Sequence, residues 1–145
     1  MALSNQERAD KSAAAMWEND NASKFIGMVI DAVSEGRATL SMQIETHHTN
    51  GHGICHGGYI FTLADSAFAF ACNSYNQITV AQETTITFLA PGTLGEVLTA
   101  TAEEMLRTGR SGVYDVTVTG KDDRKIALFR GLSRTIKGTH FDAKH

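Results

Sequence analysis

The chain has 145 residues, 42% of them hydrophobic and 20% charged, with a mean hydropathy of −0.17. That is ordinary globular composition and excludes a chain too polar to bury a core. Thirteen Lys and Arg stand against sixteen Asp and Glu, a net charge of −3, so no broad cationic face is on offer and nucleic acid is not an expected partner. The longest apolar stretch, residues 59–72, is shorter than the roughly 20 residues of a bilayer crossing. It carries Asp65 near its middle, so no membrane partner is expected either.

The first residues lack the basic start and apolar run of a secretory leader, and Cys55 and Cys72 form no CxxC pair. The expectation is a cytoplasmic protein with reduced thiols and a single domain over residues 1–145. Ser4-Asn5-Gln6-Glu7 has the form of a capping box, which predicts a short N-terminal helix within residues 1–20. Phe25 to Val33 reads as a strand, and after Glu35-Gly36 the apolar Ala38, Leu40, Met42 and Ile44 alternate with polar residues. Together they predict a hairpin with one buried face.

Residues 46–58 hold four glycines and four histidines and predict a structured loop. Tyr59 to Tyr75 turns helical and is apolar over much of its circumference, so other structure must wrap it. Four strands follow, Ile78–Leu89, Glu96–Leu106, Gly112–Thr119 and Ile126–Ile136. They are punctuated by turns at Pro91-Gly92, Thr108-Gly109-Arg110 and Gly120-Lys121-Asp122-Asp123, so sequential strands are expected to be mostly antiparallel neighbours. The class is α+β: an antiparallel six-strand sheet curled around a central apolar helix, with a tail over residues 137–145.

Two readings compete for the loop His47-His48-Thr49-Asn50-Gly51-His52-Gly53-Ile54-Cys55-His56-Gly57-Gly58. One is a metal site, because His48, His52 and His56 are four apart; interleaved glycines disfavour the helix that would align them, and no HExxH accompanies them. The other is an anion site, because Gly57 and Gly58 at a helix start leave N–H groups unpaired at the positive end of the helix dipole. Asp65 favours the second, since a carboxylate in an apolar run needs a partner or a purpose. Eight residues of helix separate Gly57 from Asp65, about 12 Å. Both groups meet one reacting carbonyl only if two chains pack their central helices antiparallel, which makes a homodimer the minimum.

Asn50-Gly51-His52-Gly53-Ile54-Cys55-His56-Gly57-Gly58, followed by Asp65 in an apolar helix, resembles the hot-dog-fold acyl-CoA thioesterases, and more narrowly the PaaI type of phenylacetic acid degradation. The order of elements over roughly residues 20–136 agrees. The resemblance implies Asp65 as nucleophile or general base, the Gly57 amide as oxyanion donor and Asn50 as the side chain that positions water or the thioester. His56 and Ser66 would be supporting positions. It also implies an acyl-CoA substrate with a phenylacetyl or ring-hydroxylated phenylacetyl group, no metal or other cofactor, and a homotetramer.

Arg107, Arg110 and Ser111 are candidates to hold the coenzyme A phosphates, the alternative being a solvated charged turn. Phe61, Phe68, Phe88 and Leu89 are candidates for the acyl pocket, with core packing as their other reading. A medium-chain acyl thioesterase and a non-catalytic acyl-CoA-binding or regulatory module remain the rival readings.

Overall fold

The computed structural model describes residues 2–143; Met1 and the last two residues of the expected tail lie outside them. Helix α1 spans Asn5–Glu18, its start closed by the capping box of Ser4 and Glu7. Asp20 accepts from the Ser23 N–H, and Gly27, at φ 92°, ends a second short helix, α2, over Asn21–Ile26. This corrects the strand expected from Phe25: a strong N-cap and a left-handed C-cap seven residues apart override the apolar run. Strand β1 starts only at Val29 and runs to Ser34.

Strand β2 is Arg37–Gln43, and the predicted alternation holds, with Ala38, Leu40, Met42 and the following Ile44 all buried. The central helix α3 is Gly57–Cys72, beginning two residues and ending three residues before the expected Tyr59–Tyr75. It begins early because the His56 ring accepts from the Gly58 N–H. It ends at Asn73, whose side chain caps the helix through the Ala69 carbonyl and also binds both the carbonyl and the N–H of Thr79, tying the chain to the start of the next strand. Strands β3 (Thr79–Phe88), β4 (Val97–Thr108), β5 (Ser111–Thr119) and β6 (Lys125–Thr135) follow.

All neighbours in the sheet are antiparallel, in the order β1-β2-β4-β5-β6-β3. The turns at 108–110 and 120–123 do join neighbours, but Pro91-Gly92 does not. Strand β3 pairs with β6 at one edge while β4 pairs with β2, so residues 89–96 cross from the sheet edge to its middle. The crossing is tied down by the Cys55 N–H on the Gly92 carbonyl and by a bridge between Ile54 and Thr93.

The inner face of the sheet wraps α3, which buries Leu63, Ala64, Ala67, Phe68 and Ala71 against Leu40, Leu98, Ala100, Val116 and Val118. The Phe68 ring lies 5.6 Å from that of Tyr114 and 5.8 Å from that of Phe129. Strand β6 approaches so closely here that a Cβ on Gly131 would stand 2.7 Å from the Phe68 ring. Gly131→Ala should therefore overpack the centre and cost about 1–3 kcal/mol. Urea unfolding checks this as a lower midpoint at unchanged slope.

Candidate active site

The loop before α3 is organised by its own side chains. Asn50 Oδ1 accepts from the N–H groups of His52 and Ile54 at 2.9 and 3.4 Å, while the Asn50 N–H donates to the Ile54 carbonyl. The carbonyl of the carboxamide is thereby used, and its Nδ2 donates to nothing among the described residues. His48, buried, accepts the Glu45 N–H on Nδ1 and places Nε2 2.8 Å from the Ile26 carbonyl, which fixes the loop to the end of α2. Among the described residues no three His, Cys, Asp or Glu side chains converge as a metal would require.

The first N–H groups of a helix have no acceptor within it. Gly58 N–H and Tyr59 N–H are taken by His56, through its ring and its carbonyl, whereas the Gly57 N–H has no acceptor among the described residues. It opens on a cavity of about 420 Å³ lined by Asn50, Gly57, Ile60, Phe88, Leu89 and Pro91. The structure thus brings Asn50 and Gly57 to one cavity with an apolar wall. His56 acts from behind, as the cap of the helix that carries Gly57.

Asp65 lies two turns further along α3, half-buried and outside that cavity. Its carboxyl makes no hydrogen bond or ion pair within the subunit among the described residues, and burial pushes it above the ordinary aspartate range. It shares a helix stripe with Gly58, Thr62 and Ala69, none of them buried by the subunit's own sheet. Ser66 points elsewhere: its hydroxyl is 2.8 Å from that of Ser23, which donates to Asp20, so it joins α3 to α2.

Arg107, Arg110 and Ser111 sit at the opposite end of α3, a helix about 24 Å long. The Arg107 guanidinium stacks 3.6 Å from the Tyr75 ring centroid, the Arg110 carbonyl accepts from Thr135, and Ser111 pairs with Thr108. Of the four residues proposed for the acyl pocket, Phe88 and Leu89 line the cavity and are half-exposed. Phe68 is core, and Phe61 packs on Phe129 at 5.6 Å. The cavity wall at Ile54, Cys55, Ala90 and Pro91 was not anticipated, because Pro91-Gly92 reads locally as a plain turn. Cys55 is an inert part of it, its thiol pushed up to about 11 by burial.

Comparison with known proteins shows the family. The model of the thioesterase superfamily matches residues 52–127, the span that includes Gly57, α3 and Asp65. The chain is 45% identical to the acyl-coenzyme A thioesterase PaaI of Escherichia coli K12 over 91% of its own length and 94% of that protein. It is 30% identical to human acyl-coenzyme A thioesterase 13 over 77% of this chain and 82% of that one. The solved structure of the E. coli PaaI protein from the phenylacetic acid degradation operon superposes with a TM-score of 0.92, at 44% identity, covering 94% of this chain and 99% of the other. A hypothetical thioesterase of Streptococcus pneumoniae solved with coenzyme A superposes at 0.78, with 25% identity over 86% and 96% of the two chains.

The chain belongs to the thioesterase superfamily, with the hot-dog fold. Within it the chain is of the PaaI type, and it is a thioester hydrolase.

Proposed function

We propose that the chain hydrolyses the thioester of an acyl-coenzyme A, releasing free acid and coenzyme A, at a site completed by a second copy. The observation that carries this reading is the unclaimed Gly57 N–H and Asn50 Nδ2 opening together on one apolar cavity. The thioester carbonyl sits with its oxygen on the Gly57 N–H, which stabilises the negative charge that develops there on attack. Asn50 Nδ2 donates to the attacking water or to the thioester. The carboxylate that attacks, or that takes the proton of the water, is Asp65 of the opposite chain. No metal or redox group enters any step.

An intersubunit site is supported from two sides. Asp65 has no hydrogen-bond or ion-pair partner among the described residues of its own subunit and lies on the uncovered stripe of α3. Strand β3 is a sheet edge, largely exposed along its ten residues, which suits it to pair with another strand. Antiparallel α3 helices bring the far end of one subunit past the Gly57 end of the other. The Arg107–Ser111 turn is then carried beyond the cavity, where it meets the phosphates of coenzyme A. Leu106, Val113 and Leu132 lie in one register row on the outer face of the sheet and favour a further pairing of dimers into a homotetramer.

The identity with the PaaI thioesterase favours a phenylacetyl or ring-hydroxylated phenylacetyl group over a medium-chain acyl group. Two unpaired buried thiols suit a reducing, cytoplasmic setting, and no helix among the described residues is long and apolar enough to cross a membrane. The test is release of free thiol from phenylacetyl-, benzoyl-, acetyl- and hexanoyl-CoA. Turnover of an aromatic thioester supports the reading; tight binding without release of thiol from any of them replaces it with a binding module.

A further inference from the structure

Phe88 is the last residue of the edge strand β3, and its position is fixed by backbone contacts rather than by its own side chain. It pairs with Ala127 across β6, and the next two N–H groups, those of Leu89 and Ala90, both donate to the Ile126 carbonyl at 2.8 and 3.2 Å. The ring is nevertheless 52% exposed, beside a Leu89 that is 51% exposed, and both line the cavity that holds the Gly57 N–H. Adjacent large apolar side chains left in solvent at the rim of a cavity mark a surface that a ligand covers.

The ring also stands directly over the glycine. A Cβ added to Gly57 would come within 3.1 Å of Phe88 Cζ and 3.2 Å of Cε1. Glycine at position 57 thus leaves room for the outer edge of this ring next to the N–H on which the carbonyl oxygen is proposed to sit. A substrate whose carbonyl reaches that N–H must lay the first atoms of its acyl group beside this ring.

We propose that Phe88 is the specificity-determining residue of the acyl site, a ring on which an aromatic acyl group packs in preference to a linear one. The proposal rests on the acyl-CoA hydrolase reading above. Offset or edge-to-face packing of two rings exceeds simple area burial by an amount equal to about a 2- to 12-fold preference. Linear acyl groups gain only the area.

The experiment compares kcat/KM for phenylacetyl-CoA and hexanoyl-CoA in wild type, Phe88→Leu and Phe88→Tyr, with the oligomeric state of each measured by light scattering. The expected result is a fall in the aromatic-to-linear ratio of about 2- to 12-fold in Phe88→Leu, restored in Phe88→Tyr, at unchanged assembly. An unchanged ratio overturns the proposal. So does an equal loss on both substrates with an altered assembly, which would assign the ring to the contact between subunits. A wild type that releases no thiol from either substrate removes the hydrolase reading itself and this inference with it.

Discussion

Asp65→Asn should lower kcat of thioester hydrolysis by about 10²–10⁴-fold while leaving binding of a non-hydrolysable thioether analogue of the substrate within about twofold. The substitution keeps the size of the side chain and removes only the charge. An amide neither attacks the thioester carbonyl nor takes a proton from water, so both routes open to Asp65 are lost together. The Gly57 N–H, the Asn50 carboxamide and the apolar wall of the cavity are untouched, so recognition persists. Activity above a tenth of wild type would remove Asp65 from the chemistry.

The same variant carries a second signature, in stability. Burial raises the Asp65 carboxyl above its ordinary value, and no hydrogen bond or cation among the described residues offsets this. The native chain therefore binds more protons than the unfolded chain between the unfolded and folded pKa values, and stability falls as pH rises through that window. At neutral pH the ionised Asp65 destabilises the fold, so Asp65→Asn should melt at a higher temperature than wild type, with the difference shrinking as the solution is acidified. A raised pKa also moves the acid limb of kcat/KM upward, because only the ionised carboxyl acts. A protein that is more stable when inactive is the expected mark of a group held in place for chemistry.

These two signatures attach to a residue that sequence exposed well, and the contrast with its neighbours shows where such reading stops. Asp65 stands out because a charge interrupts an apolar helical period, a local pattern. The alternation of β2, the three-residue punctuation at 108–110 and the capping box of α1 are local too, and each survives in the structure. At Phe25 the apolar run points to a strand, whereas the capping residues Asp20 and Gly27, whose effect is a specific backbone geometry, make a helix. The crossing at Pro91-Gly92 was misread because turn chemistry states that the chain bends and says nothing of which strand it meets next. That depends on β3 finding β6, a pairing between residues up to 56 positions apart that the flanking turns leave unspecified. The cavity wall at Ala90 and Pro91 follows from that pairing, so it could not be read either.

The wall is held by a contact of the same long-range kind, and removing it should have a large effect. Glu96, its side chain only 4% exposed, accepts two hydrogen bonds from the Arg124 guanidinium at 2.8 Å and others from the N–H groups of Lys121 and Thr93 and from the Thr93 hydroxyl. Arg124 also donates to the Pro91 carbonyl at 3.1 Å, so one carboxylate ties the crossing segment to the β5–β6 turn behind the cavity. Burial alone would raise the Glu96 carboxyl, but these donors outweigh it and hold it down at about 2. Set against an ordinary value of 4.5, the lowered pKa means that the ionised form of Glu96 stabilises the fold.

Glu96→Gln should lose about 1–3 kcal/mol at pH 7, measured by urea unfolding, because an amide pairs poorly with a guanidinium and turns donors toward donors. The sign of the pH dependence is fixed by the depressed pKa. The contribution of Glu96 is complete above the unfolded value and disappears as pH falls from about 4.5 towards 2. Wild type and variant should therefore differ most near neutrality and converge in acid. A difference that is the same at pH 7 and pH 3 would assign the loss to packing instead of charge. The wall should loosen with it, raising KM for acyl-CoA more than it lowers kcat, since Pro91 lines the cavity while Asp65 and the Gly57 N–H remain as they were.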